Sequence, residues 1–279
     1  MKHDKTILIT GASDGIGKQT ALDLARAGAR VLLHGRDESR TLAALQNIRQ
    51  AVPSAHLSLY LADFSSLKEV CHLADQLRKD HQRLDVLVNN AGSFSREKRL
   101  SADGFELTYA VNHLAPFLLT LLLLDLLKAA APARIVNVAS NAHRNLTAVD
   151  MDNLQAEKAY SGYDAYALSK LAKILVSSAL ARRLRNHNVA VNSLHPGVID
   201  TKLLRMSWNS PGDSIEEGAM TSVYLASSPE VEGVTGRFYS RMREKSPSEL
   251  AQDEALQEQF WRISMDMLAP YLPEPIQGL

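Results

Sequence analysis

The sequence predicts an α/β protein of the doubly wound type, with helices on both faces of a mostly parallel seven-stranded sheet. Short β-rich runs alternate with longer helical runs, an order that is typical of parallel strands joined by crossover helices. Runs such as Val86-Leu87-Val88 are apolar at every position, as a strand covered on both faces requires. Neither repeats nor a linker interrupt the 279 residues, so one domain is expected to span positions 1–279.

The elements are expected to alternate in chain order. The β-rich runs, which are short and apolar, are Thr6–Thr10, Arg30–His34, His56–Leu61, Asp85–Asn89, Arg134–Ala139, Val189–Leu194 and Arg237–Tyr239. The longer runs between them are expected to be helices over Ile16–Ala27, Ser39–Ala51, Ser66–Asp80, Gly104–Ala130, Ala165–Asn186 and Ile215–Ala226. After a proline break, residues 246–264 are expected to form one more helix, within a C-terminal helical extension over 246–279.

Composition excludes several classes of function. The 31 basic and 31 acidic residues balance, so neither nucleic acid nor an anionic membrane is expected as a partner. The single cysteine, Cys71, excludes an internal disulfide framework and fits a reducing, cytoplasmic location. The most apolar stretch, Phe117–Leu127, is shorter than the roughly 20 residues of a membrane span. No leader or membrane anchor is expected before the first strand, and no metal site, because the histidines lack ligand spacing.

Tyr166 and Lys170 are the pair that points most directly to chemistry. Residues four apart lie on one face of a helix, one turn from each other. A free phenol has a pKa near ~10, and a neighbouring ammonium lowers that pKa by favouring the phenolate. The pair therefore predicts a proton donor and acceptor for the interconversion of a carbonyl and an alcohol.

A glycine-rich turn between the first strand and the first helix predicts the site of a dinucleotide. Its glycines let the main chain approach a pyrophosphate, and the helix N-terminus adds free N–H groups and a positive dipole end. The residues expected to bind there are Gly11, Ser13, Asp14, Gly15, Ile16 and Gly17.

The end of the second strand indicates which dinucleotide binds. A carboxylate at this place would bind the ribose 2′-hydroxyl of NAD, but the sequence reads His34-Gly35-Arg36. The guanidinium of Arg36 suits a 2′-phosphate, so NADP(H) is preferred over NAD(H). The alternative is that Arg36 is a solvated loop residue and that Asp37 binds the ribose.

Two further strand ends are expected at the same crevice. Asp63 ends the third strand, where it either accepts from the adenine amino group or caps the next helix. The fourth strand ends in Asn89-Asn90-Ala91-Gly92, whose small residues permit close approach of a ligand. The residues predicted to contact the cofactor here are Asp63, Phe64, Asn90, Ala91 and Gly92.

These motifs resemble the short-chain dehydrogenase/reductase family, with its Rossmann-type fold. The family marks stand in order: the glycine turn 10–17, Asn89–Gly92, a serine after strand five, Tyr166-x-x-x-Lys170 and Pro196-Gly197. Runs 111–120, 134–143, 192–197 and 231–236 resemble the retinol dehydrogenase-type branch.

The resemblance implies a role for each catalytic residue. Tyr166 would be the general acid in reduction and the base in oxidation, and Lys170 would also bind the nicotinamide ribose. Ser140 would donate to the carbonyl oxygen of the substrate, and Asn112 would hold a relay water. Because Pro116 has no N–H, it either frees the Asn112 carbonyl to hold that water or lies in the first turn of the helix and frees nothing that matters. Four residues, Pro196, Gly197, Ile199 and Thr201, would contact the nicotinamide end of the cofactor. Tyr166 and Lys170 are also expected to contact the cofactor.

A lipophilic aldehyde or ketone is the expected substrate. Met206 and Trp208 would line its pocket, whereas Phe260 and Trp261 either wall the pocket or pack in the core. The alternatives are a reductase of a polar ketone or β-ketoacyl intermediate and, outside enzymes, a nucleotide-binding redox sensor. The resemblance further implies a homodimer or homotetramer that uses the Tyr166 helix.

Overall fold

The computed structural model describes residues 5–207 and 211–272, and in that part the chain forms one sheet flanked by helices. The strands are β1 (Thr6–Ile9), β2 (Arg30–Gly35), β3 (Leu57–Leu61), β4 (Val86–Asn89), β5 (Ala133–Val138), β6 (Val189–His195), β7 (Phe238–Ser240) and β8 (Arg243–Lys245). Their order in the sheet is β3-β2-β1-β4-β5-β6-β7-β8, and every neighbouring pair is parallel except β7 and β8. The predicted doubly wound, mostly parallel sheet is confirmed.

The prediction of seven strands is wrong by one edge strand. β8 pairs antiparallel with β7 after a turn in which Arg241 and Met242 both have positive φ. Its three residues, Arg-Glu-Lys, are all exposed. Because no apolar residue marks β8 in the sequence, only pairing with β7 defines it as a strand.

Most helices follow the prediction, but the helix Lys202–Ser207 was not predicted, and two predicted helices, 104–130 and 246–264, are each divided. The observed bounds are α1 (Gly15–Arg26), α2 (Glu38–Ala51), α3 (Leu67–Asp80), α4 (Leu107–Tyr109), α5 (Ala115–Leu122), α6 (Leu124–Ala129), α7 (Gly162–Arg183), α8 (Lys202–Ser207), α9 (Ile215–Ser227), α10 (Glu249–Gln252) and α11 (Glu254–Leu268). The expected single helix over 104–130 instead begins after Glu106, whose carboxylate accepts from the N–H groups of Thr108 and Tyr109. A π-helical turn, Ala110–Leu114, joins α4 to α5, and Leu123 separates α5 from α6.

Two apolar cores cover the sheet. One lies under α1, α2 and α9, and the other under α3, α5, α7 and the C-terminal helices. The helix expected over 246–264 is two helices, because Asp253 ends α10 and caps α11. α11 packs along α7, with Phe260 fully buried, so the C-terminal extension belongs to the core over the Tyr166 helix. None of the helices in residues 5–207 and 211–272 is long and apolar enough to cross a membrane.

Candidate active site

The glycine turn lies between β1 and α1, beside β4, where the strand order reverses. Gly11 has a φ of 66°, a left-handed conformation that favours glycine. A Cβ on Gly17 would lie 2.3 Å from the Gly11 carbonyl oxygen and 2.4 Å from Nδ2 of Asn90. That amide donates to the carbonyls of Thr10 and Gly11 at 2.8 and 3.2 Å. Asn90 therefore fixes the turn from the end of β4, and only glycine fits at position 17.

Arg36, the basic residue expected at the adenosine end of the cofactor, lies at the rim of the crevice. Arg36 is 72% exposed, and its Nη1 is 3.8 Å from Oδ2 of Asp63. The carboxylate of Asp37 caps α2 through Oδ1, which accepts from the Arg40 N–H at 2.9 Å, but Asp37 also lines the cavity, so its alternative role at the ribose stays a prediction. Ser66, and not Asp63, caps α3, which makes the capping alternative for Asp63 wrong.

Asn112 lies in the π-helical turn and is fully buried. Its Oδ1 accepts from the Ser93 N–H at 2.7 Å, and its Nδ2 donates to the Ser93 carbonyl and to Oγ of Ser169 at 3.0 Å each. Ser169 in turn donates to the carbonyl of Tyr166 at 2.7 Å. The side chain of Asn112 thus joins the exit of β4 to α7. Its relay role, which rests on its main-chain carbonyl, stays a prediction.

Ser140, Tyr166 and Lys170 meet where β5 ends against α7. Tyr166 shares a side-chain hydrogen bond with Ser140, and Lys170 Nζ lies 5.4 Å from the centre of the Tyr166 ring. Lys170 Nζ donates to the carbonyl of Val138 at 3.1 Å. A Cβ on Gly92 would lie 3.5 Å from that ammonium and 3.3 Å from Oδ1 of Asn112.

The electrostatics of this group differ from the expectation that Lys170 lowers the pKa of Tyr166. Burial raises the pKa of Tyr166 to about 12, and the Ser140 hydrogen bond opposes this only in part. Burial also lowers the pKa of Lys170 to about 8, which reduces the charge it offers to the phenol near neutral pH. In the protein alone, desolvation therefore outweighs the attraction between the pair.

A short loop after β6 completes the site. Gly197 has a φ of 111°, and a Cβ on Gly15 would lie 3.6 Å from Cγ2 of Thr201, so the loop meets the glycine turn. Nζ of Lys202 lies 2.8 Å from Oδ2 of Asp14, which adds an ion pair between the two segments.

One cavity of about 880 Å³ extends from the glycine turn to Ser140 and Tyr166. Every residue expected to bind the cofactor lines it, from the glycine turn through Arg36 to Thr201, and so does Ser140. Asn112 lies behind the lining. Phe260 and Trp261 pack in the core beside Phe117 and α7, so the core alternative holds for them. The side chain of Met206 and the whole of Trp208 lie outside the described residues.

Comparison with known proteins decides the family. The family model of short chain dehydrogenases matches residues 5–211, which is most of the chain. The chain belongs to the short-chain dehydrogenase family.

Curated relatives narrow the assignment to a branch. Retinol dehydrogenase 14 of Homo sapiens is 40% identical over 295 residues, covering 96% of this chain and 87% of that protein. Retinol dehydrogenase 13 of Homo sapiens is 39% identical, covering 96% and 86%. Among solved structures, an uncharacterised protein from Mycobacterium paratuberculosis has a TM-score of 0.79 and 30% identity over 95% of this chain and 93% of that one. This short-chain dehydrogenase is therefore a retinol dehydrogenase-like oxidoreductase that acts on alcohol and carbonyl groups.

Short-chain dehydrogenases use nicotinamide cofactors, and the cavity fits such a group. The volume is in the range of small-molecule sites, and α1 begins at the lining, with the positive end of its dipole at the glycine turn. At position 17 the close approach of the Gly11 carbonyl and the Asn90 amide leaves no room for a side chain.

Several lining residues of this dehydrogenase escaped the sequence analysis. Arg40, in the first turn of α2 and four residues after Arg36, also lines the cavity. His195, at the end of β6, lines the cavity and accepts from the Asn141 N–H through Nδ1 at 3.3 Å. Lys173 lies behind the site. Its Nζ shares the Val138 carbonyl with Lys170 at 3.4 Å, and burial places its pKa well below the usual value.

Proposed function

We propose that the protein transfers a hydride between NADP(H) and the carbonyl or alcohol carbon of a lipophilic aldehyde or ketone. The observation that carries this proposal is the buried hydroxyl of Tyr166, hydrogen-bonded to Ser140 on the wall of the large cavity. The nicotinamide ring, when bound, supplies or accepts the hydride. In reduction the Tyr166 hydroxyl gives its proton to the carbonyl oxygen, and in oxidation the phenolate takes it back.

Ser140 and Lys170 support that proton transfer. The hydroxyl oxygen of Ser140 accepts from the Ala142 N–H at 3.1 Å, which orients it at the end of β5. Its own proton is then available to the substrate oxygen or to Tyr166. Lys170, anchored on the Val138 carbonyl, carries the charge that stabilises the phenolate when Tyr166 ionises.

Arg36 and Arg40 support the preference for NADP(H). Both guanidinium groups line the adenosine end of the cavity, where a 2′-phosphate would be the added charge. Asp37, the residue that could otherwise bind a ribose hydroxyl, already uses one carboxylate oxygen as the cap of α2. Arg40 is paired with Asp14 at 3.1 Å, whereas the guanidinium of Arg36 lies 3.8 Å from the carboxylate of Asp63, so Arg36 is the less tightly paired of the two.

The lining near Tyr166 supports a lipophilic substrate. Leu107 and Val111, four residues apart, line the cavity together with Ala142. These apolar side chains favour an apolar carbonyl over a charged β-ketoacyl intermediate.

The test is oxidation of NADPH and NADH by the purified protein with retinal, long-chain aldehydes, aromatic ketones and β-ketoesters. Turnover of an apolar carbonyl with NADPH preferred is expected, and preference for NADH would overturn the role of Arg36.

Arg36→Leu should weaken NADPH binding about tenfold or more and leave NADH binding unchanged. Tyr166→Phe should abolish turnover while NADPH still binds. Tight cofactor binding without turnover of any carbonyl would favour the redox sensor.

The expected homodimer or homotetramer and the cytoplasmic location stay predictions. α11 packs along α7 and pairs with it through Arg182 and Arg183, so part of the Tyr166 helix surface is covered within the chain. Light scattering of the full chain distinguishes a monomer of 30.7 kDa from a dimer of twice that mass.

A further inference from the structure

A buried histidine joins the catalytic serine to the C-terminal extension. His143 lies three residues after Ser140 and is fully buried against the ring of Phe238. Its Nδ1 is 2.6 Å from the carbonyl oxygen of Ser140, and its Nε2 is 3.0 Å from the main-chain nitrogen of Ser248. Ser248 caps α10, the first helix of the extension.

The hydrogen bonds define the tautomer of His143. Because the main-chain N–H of Ser248 can only donate, Nε2 of His143 must accept and therefore carries no proton. The ring proton is then on Nδ1, from which it is donated to the Ser140 carbonyl. Burial lowers the pKa of His143, which keeps the ring neutral and this arrangement intact. A neighbouring contact, from Arg144 to the carbonyl of Ser246, joins the same two segments.

A second buried histidine makes the same kind of link beside Asn112. Nε2 of His113 lies 2.7 Å from Oγ of Ser264, which is fully buried on α11. The ring packs between Tyr109 and Phe117, and burial lowers the pKa of His113 to about 3, so it is neutral. Ser140 and Asn112 are thus each linked, through a hydrogen bond or a chain neighbour, to a histidine that contacts the C-terminal extension.

We propose that His143 and His113 are positioning residues, through which residues 246–272 of the C-terminal extension set the positions of Ser140 and Asn112. The kinetic part of this proposal rests on the proposed function, because Ser140 and Asn112 act in that reaction. Neither histidine lines the large cavity, so their loss should lower kcat and leave cofactor binding unchanged.

A matched pair of variants isolates the first link. Ser248→Ala removes the capping hydroxyl but retains the main-chain N–H that donates to Nε2 of His143. Ser248→Pro removes both, and its ring is compatible with the φ of −63° at this position. We expect Ser248→Ala to keep kcat within about twofold and Ser248→Pro to lower it about fivefold or more, the size of one lost hydrogen bond, with the Kd for NADPH unchanged. Equal kcat in the two variants would overturn this link.

Amide hydrogen exchange of residues 139–145 tests the same link without turnover. In the protein alone, Ser248→Pro should accelerate exchange in this segment relative to Ser248→Ala, even if no carbonyl on the panel is reduced. If Ser248→Pro exchanges faster than Ser248→Ala but the wild-type protein reduces no carbonyl, the proposed function is contradicted and the positioning role of His143 stands. Equal exchange in the two variants would overturn the positioning whatever the activity.

Variants of the histidines complete the test. His143→Phe preserves a buried ring but removes both hydrogen bonds, and should lower kcat as Ser248→Pro does. His143→Asn places an amide near the position of Nδ1 and should restore part of kcat by donating again to Ser140.

Ser264→Ala tests the second link, because it removes the hydroxyl that contacts His113. This variant should lower kcat with the Kd for NADPH retained, and an unchanged kcat would remove His113 from the proposal.

Discussion

Glu258 holds the C-terminal extension to the Tyr166 helix, and its neutralisation is expected to cost measurable stability. Its Oε1 accepts from Nη2 of Arg182 at 2.8 Å, and its Oε2 accepts from Nη2 of Arg183 at 2.6 Å. The guanidinium of Arg183 also stacks 4.1 Å from the centre of the Trp261 ring. The hydrogen bonds from Arg183, followed by those from Arg182, lower the pKa of Glu258 to about 2.

The size of the effect follows from that pKa. Lowering it from the ordinary 4.5 to about 2 corresponds to roughly 3 kcal/mol at neutral pH before solvent screening. The side chain of Glu258 is 42% exposed, so screening reduces the contribution to about 1–2 kcal/mol. Glu258→Gln, which retains the shape but removes the charge, should lower the free energy of unfolding at pH 7 by that amount.

The pH dependence gives a second measurement of the same interaction. The pKa of the carboxyl is lower in the folded protein, so the stabilisation is complete well above pH 4.5 and declines as the pH falls towards about 2. Urea unfolding at pH 7 and at pH 3 should therefore give a difference between wild type and Glu258→Gln that shrinks by more than half. Asp266→Asn is the control, an equal charge change at an exposed position of the same helix. A Glu258→Gln protein as stable as this control at pH 7 would refute the reasoning.

Three further outcomes are expected. Because the pKa of Lys170 is about 8, kcat/KM for NADPH should fall above that pH as the ammonium deprotonates, and a flat profile from pH 6 to 10 would contradict its role. Gly17→Ala should lose NADPH binding, measured by fluorescence titration, because the added Cβ would lie 2.3 Å from the Gly11 carbonyl oxygen. Pro116→Ala should reduce turnover if the Asn112 carbonyl is freed for a relay water, whereas unchanged turnover would show that this proline matters only for the first turn of α5.

Local sequence signals predicted the parts of the site that single segments build. The glycine turn needs only three glycines between a strand and a helix, and Tyr166 and Lys170 need only a four-residue spacing. The strand ends could also be placed together, because the carboxyl ends of parallel strands meet at one edge of a sheet. These features depend on neighbours within a few residues, so the sequence contains enough information for them.

The features that the sequence did not reveal depend on distant partners. β8 exists because Arg243–Lys245 pairs with β7, and no apolar pattern announces it. Whether Asp63 or Ser66 capped α3 could not be decided by spacing, because both residue types form caps. The raised pKa of Tyr166 was missed for a similar reason, since burial is a property of the packed molecule.

By itself, the sequence determined the doubly wound class, the cofactor crevice and the Tyr166–Lys170 pair, because each follows from local periodicity and spacing. Only the tertiary structure decided what supports them. The bond between His143 and Ser248 joins residues 105 positions apart, and that between Arg183 and Glu258 spans 75. Contacts of this kind arise when helices close over the sheet and exclude water, so they have no signature in either segment alone.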